Sequence, residues 1–261
     1  MRPLPIAGAG VVTAAIMAVV GWGLPGLAMA GPRAGARIAA LVPQAEGAVL
    51  FFVGLPLWAA SLRAEGSPAL RRALAATARG PLRAVGRAAA LQGKGAGMLL
   101  AGGAAAWLLA VPLAGGPSLR EVAGVRLLLA AFAVFGIGLG IWSSAAWRGS
   151  RGAVGFCLLV SLAMAAIPLG VAPLIAALGA RPALIQASML LSPWVVAAGA
   201  SGLDLLRMQW AYALSPLGSL DAPYPGLGAA VALYAGAGLI LLILSARALR
   251  SPGRADDGGY G

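Results

Sequence analysis

The chain has 261 residues, of which 61% are hydrophobic and only 10% charged, with a mean hydropathy of +0.91. A water-soluble domain could neither bury nor keep in solution that much apolar surface, so the composition specifies an integral membrane protein. The formal charge of +12, carried by 19 basic and 7 acidic residues, would suggest nucleic acid in a soluble protein; here the cations cluster between apolar segments and mark topology instead.

A helix needs about 20 apolar residues to cross the hydrocarbon core, and the chain offers six runs of that length. The first, Pro3 to Pro32, is uncharged and much longer than the ~7–15 residues of a signal-peptide core, so it reads as a retained span although "GLAMAG" resembles a cleavage site. The second, Ile38 to Leu62, is interrupted only by Glu46, the one acid inside an apolar segment. An ionisable group there is a functional candidate by default, but its position near one end of the run predicts an interfacial carboxylate in reach of water.

The only long charged connection follows, from Arg63 to Lys94. Ser67 and Pro68 are suited to start a short helix that Arg79, Gly80 and Pro81 would end. A second helical stretch from Leu82 is expected to lead into the third span, Gly95 to Leu119. Lys94, the sole lysine of the chain, would then lie at the headgroup level, its ammonium snorkelling to the interface. "GKG" around it lacks the spacing and the Ser or Thr of a phosphate loop, and "GWGLPG" at Gly21 to Gly26 lies within a span, so neither binds a nucleotide.

The fourth and fifth spans are read as Leu127 to Trp147 and Gly152 to Ala180, and the sixth as Ala222 to Ala246. Glycine, 39 residues in all, concentrates in runs such as "GIGLG" (Gly136 to Gly140) and "GAG" (Gly236 to Gly238), which let helix backbones approach closely. Cys157 has no partner for an intramolecular disulfide and reads as packing. The chain contains no histidine, which removes the usual haem ligand and catalytic base and most zinc sites.

Pro182 to Leu203 is long enough to cross but carries two prolines, a glutamine and three serines. The positive-inside rule favours a non-crossing, re-entrant pair of short helices. Six spans with both termini cytoplasmic place 13 of the 19 basic residues inside, whereas a seventh span gives 11 against 8. Residues 181–221 thus form an outer region that dips into the membrane, Trp194, Trp210, Tyr212 and Tyr224 are read as interface anchors, and Asp204 and Arg207 are spaced to pair. The fold class is an all-α membrane protein with six transmembrane helices, a cytoplasmic loop at 63–94 and a flexible cytoplasmic tail at 251–261.

This layout resembles the permease subunit of an ABC-2 type ABC transporter. "LRAEGSPALRRAL" is similar to the family's exit from the second span into a coupling helix, and "LQGK" to the Gly-Lys pair that opens its third. "LAVPLAGGPSLREV", "GIWSSAAWRGSRGA" and "LLSPW" follow in the family's order, so the likeness runs from about Gly47 to Arg250. Departures are an absent amphipathic elbow helix before the first span and a coupling motif with Gly66 directly after Glu65 and no threonine.

The resemblance implies one transmembrane domain, residues 1–250, in the bacterial cytoplasmic (inner) membrane, acting as a permease and probable exporter without enzymatic activity of its own. ATP and magnesium would bind a separate cytoplasmic ABC ATPase. That subunit would dock on Glu65, Gly66, Ser67, Leu70, Arg71, Arg72 and Leu74, with Lys94 as interface anchor. A second permease copy or paralogous half would complete the pathway, with further membrane or periplasmic subunits and the lipid bilayer as the other partners. No catalytic residue, metal or cofactor is expected on this chain, and no nucleic acid. Alternatives are a non-transporting structural subunit of a membrane complex and a haem-exporter-like permease.

Overall fold

A computed structural model describes residues 43–64, 80–114, 119–147, 149–179, 181–202, 204, 217 and 223–248. The first apolar run, the expected coupling helix Pro68 to Arg79, Arg207 and the tail lie outside the described residues. Those described form an all-helical bundle with no strand among them.

Residues 43–64 are helical throughout and cover most of the second apolar run. Their middle, Val49–Gly54, widens into a π-helical turn that continues as α1, Leu55–Ala64. The cause lies in Pro56, which has no N–H to give to the carbonyl four residues earlier and whose ring crowds the preceding turn. Leu55 N–H bonds back to Leu50 O, five residues away. The Phe51 carbonyl then has no helical donor, because Leu55 is engaged and Pro56 has none. Ser161 from a neighbouring helix supplies it, Oγ to O 2.8 Å.

Helix α2, Pro81–Ala114, is a single element of 34 residues. It begins after Gly80, whose φ of +140° is accessible chiefly to glycine and whose carbonyl accepts from Arg83 (3.1 Å) and Ala84 (3.3 Å). Pro81 takes the first helical position, where its missing N–H costs nothing. The expected join between a loop helix and a third span at Gly95 is therefore absent: Gly93, Lys94 and Gly95 lie inside one continuous helix.

Helix α3, Leu119–Ala146, begins before the expected span and draws in Arg120 and Arg126. The fifth run divides into α4, Ser150–Gly170, with Pro168 in its last turn, and α5, Ala172–Leu178. Helices α6, Pro182–Leu191, and α7, Pro193–Ala200, meet at 90° where Pro193 interrupts the backbone bonding. Helix α8 spans Leu227–Ala248.

Among the described residues, three helices, over Arg120–Ala146, Arg151–Pro168 and Leu227–Ala248, are long and apolar enough to cross a membrane, and the bent α6–α7 pair is a fourth candidate. Within those stretches α3 is 67% buried, against 28% for α4 and 17% for α8, which makes α3 the axis of the bundle. Around it the glycine runs act as the sequence suggests. Gly136 and Gly140 seat the Trp58 ring and backbone of α1, and a Cβ at Gly136 would overlap that ring. Gly138 and Gly238 bring α3 and α8 into backbone contact, and a Cβ on Gly238 would lie 2.6 Å from Val134 O.

Contacts fix the helix directions. Phe51 meets Phe132 and Ala59 meets Gly140, while Leu227 meets Gly124 and Gly238 meets Gly138, so α1, α3 and α8 run parallel. Glu46 meets Gly103 and Trp58 meets Gln92, so α2 is antiparallel to them. Cys157 meets Ser143 and Ser161 meets Phe51, which makes α4 antiparallel as well.

The α6–α7 pair enters and leaves the bundle at one end. Gln186 donates to Pro223 O (2.9 Å) and Gly199 packs on Tyr224, both just before α8. Between them the vertex reaches inward, where Tyr234 donates to Leu190 O (3.2 Å) and Trp194 stacks on Phe52 with centroids 5.6 Å apart. Trp194, read as an interface anchor, is half-buried beside the π-helical turn, while Trp210 and Tyr212 lie outside the described residues.

Candidate functional site

Among the described residues, buried charge is confined to one place. Glu46, on the helical segment before the π turn, is 2% exposed, and Arg126 of α3 donates Nη1–H to its Oε2 at 2.6 Å. The same guanidinium nitrogen lies 3.3 Å from the Leu100 carbonyl of α2. Three elements thus meet around one ion pair.

Gly103 on α2 makes the room. A Cβ there would coincide with Glu46 Oε1 and crowd Arg126 Nη1, so the carboxylate occupies the volume that any other residue would fill. Glu46 Oε1 accepts no hydrogen bond among the described residues. The expectation that Glu46 reaches water is overturned, because α2 closes over it. Arg126 likewise belongs inside the bundle and not in an outer loop, since α3 starts seven residues before it.

A second polar seam lies further along α1. Gln92 Nε2 donates to Trp58 O (3.1 Å), and Ser144 Oγ to Ala59 O (2.8 Å). Ser143 Oγ donates its proton to Gly140 O (3.0 Å), leaving the Cys157 thiol to donate to Ser143 across 3.2 Å. These bonds tie α1, α2, α3 and α4 together at carbonyls that would otherwise face hydrocarbon. Neither hydroxyl nor thiol has a carboxylate beside it that would activate it as a nucleophile. Among the described residues, no three His, Cys, Asp or Glu side chains gather as a metal site would require.

Of the residues singled out from sequence, Glu65, Gly66, Ser67, Leu70, Arg71, Arg72 and Leu74 lie outside the described residues. Lys94 is described and exposed, inside α2. Gln92, two residues before it, reaches Trp58, and Trp58 packs on Gly136 of α3. Asp204, expected to pair with Arg207, accepts from Tyr224 Oη (2.9 Å). Sequence reasoning flagged Glu46 but missed Arg126 and Gly103; an arginine seven residues into a helix from a basic turn reads as loop. The signal that would have found it is its place one helical face ahead of Leu129 and Phe132, both buried.

No protein-family profile matches this sequence, no curated protein matches it, and no solved structure matches it.

Proposed function

We propose that the chain is the membrane-spanning permease subunit of an ABC transporter of the ABC-2 type, an exporter half driven by a separate cytoplasmic ATPase that carries ATP and magnesium. The observation that carries this reading is the opposed character of the two ends. At one end the α6–α7 hairpin dips between the helices and returns. At the other the described charges are Arg83, Arg87, Arg151 and Arg247, all basic. A hairpin on the far face and a basic face toward the cytoplasm are the arrangement the reading requires.

The alternating helix directions support six spans with both termini cytoplasmic, once Pro3 to Pro32 is added as the first. Taking Arg126 out of the outer face and Lys94, which lies well inside α2, out of the inner one leaves five basic residues against twelve. In this reading the ATPase docks on Glu65 to Arg79, and nucleotide-driven closure moves the helices between inward-open and outward-open states. Two such subunits line the pathway.

Co-expression with candidate ATPases and affinity purification in detergent tests it. The expected result is a complex whose ATPase turnover differs from that of the free ATPase and which is lost on deleting Glu65 to Arg79. Constitutive association with other membrane proteins, with no effect on any ATPase, would replace this reading with that of a structural subunit.

A further inference from the structure

The outward faces of the helices are not alike. Helices α4 and α8 present Leu158, Leu159 and Leu162, and Leu239, Ile240 and Ile243, as a lipid-facing surface should. The outward face of α2 presents Arg83, Arg87, Ala90, Lys94, Gly97, Ala101 and Ala105, all exposed and separated by three, four or seven residues, hence on one stripe. Its first half is cationic and its second half carries small residues beside Met98, 68% exposed. None of the three cations has an ion-pair or hydrogen-bond partner among the described residues.

The stripe begins at the basic end and runs inward. Residue 92 is level with Trp58, and Trp58 with Gly136 to Gly140, so Lys94 lies level with about residue 136 of α3. That is within roughly one turn, ~5 Å, of the middle of α3. A lysine so far from the helix end is costly in hydrocarbon unless an anion meets it. Side chains on a helix lean toward its N-terminus, so the Lys94 ammonium is directed back toward Arg87, one heptad or about 10.5 Å away along the axis. Arg87 leans the same way, toward Arg83, so the three cations form a file along the helix that an anionic headgroup can lie against.

A soluble partner cannot reach this depth, and a second copy of the chain is a poor occupant. Two cationic stripes would repel, and the exposed acids among the described residues, Glu121 and Asp204, lie at the opposite end. We propose that Arg83, Arg87 and Lys94 bind the phosphate headgroup of an anionic phospholipid-type amphiphile, its acyl chains lying along Gly97 and Met98. Headgroup toward the basic end and chains toward the middle match the orientation of a lipid in the adjoining leaflet. The site stands whether or not an ATPase drives the chain.

The test is lipid titration of the detergent-solubilised full chain, with bound lipid counted by native mass spectrometry and no ATPase or nucleotide present. Dimyristoyl phosphatidylglycerol is expected to bind roughly 30- to 150-fold more tightly than dimyristoyl phosphatidylcholine, as two or three basic contacts would give. Arg87→Gln with Lys94→Gln brings the two lipids within about 2-fold. Arg120→Gln with Arg181→Gln, exposed cations at the other end, leaves the preference intact. Ala90→Asp, which sets a carboxylate between Arg87 and Lys94, abolishes the preference without removing either cation. Retained preference in the Arg87/Lys94 double variant or in Ala90→Asp would overturn the assignment. So would displacement of the phosphatidylglycerol by millimolar inorganic phosphate, which would show that the headgroup alone is recognised. Failure here leaves the permease reading standing, and the reverse also holds.

Discussion

The contact between Gly103, Glu46 and Arg126 is the most specific residue-level arrangement in the bundle. A buried ion pair contributes little over well-packed apolar residues, yet removing one partner strands a charge and costs about 3–5 kcal/mol. Glu46→Gln or Arg126→Met alone should each lower the thermal midpoint in detergent, followed by intrinsic fluorescence. The double variant Glu46→Gln, Arg126→Met should lose much less than the sum of the two, because neither charge is left alone; strict additivity would deny the coupling. Gly103→Ala drives a methyl group into the carboxylate. Overpacking of this kind costs roughly 1–3 kcal/mol, and the same melting experiment should show the loss, which should be clearly smaller when Gly103→Ala is made in a Glu46→Ala, Arg126→Met background. This site was half legible in the sequence. The carboxylate stood out against its apolar run, whereas a glycine chosen for what it leaves empty carries no signature until its neighbour is known.

At the scale of elements, the π-helical turn shows how one proline propagates through the packing. Pro56 leaves Phe51 O without a helical donor and Ser161 answers from α4. Ser161→Ala should therefore cost about 1–3 kcal/mol, the penalty for an unsatisfied buried carbonyl. In a Pro56→Ala background residue 56 regains an N–H, and the same Ser161→Ala change should cost clearly less. Equal costs in both backgrounds, measured by thermal or denaturant unfolding, would mean that the hydroxyl does not compensate for the proline. The apolar runs located the helices because hydrocarbon imposes about 20 residues of low polarity. They did not locate the ends. Arg83, Arg87 and Lys94 continue a helix as readily as apolar residues do, so α2 extends back to Pro81. The glycine runs were fully legible, since Gly136, Gly138 and Gly238 each stand where another backbone or ring passes.

For the whole molecule, the direction of α8 decides how the ambiguous segment Pro182 to Leu203 must be counted. Helix α3 and helix α4 are antiparallel, and α8 is again parallel to α3. Had α6 and α7 crossed from one face to the other, α8 would run against α3, and Gly138 could not meet Gly238 while Gly124 meets Leu227. The hairpin therefore enters and leaves at the same end of the bundle. If the basic end faces the cytoplasm, reporter fusions divide cleanly. Alkaline phosphatase, active only outside, should be inactive when joined after Gly149 or Ala248 and active after Gly179 or Gly226, with green fluorescent protein giving the complementary pattern. Active phosphatase at Gly149 together with inactivity at Gly226 would invert the molecule. A seventh crossing would show as unlike results at Gly149 and Ala248, because only an uncrossed hairpin returns α8 to the side on which α3 ends.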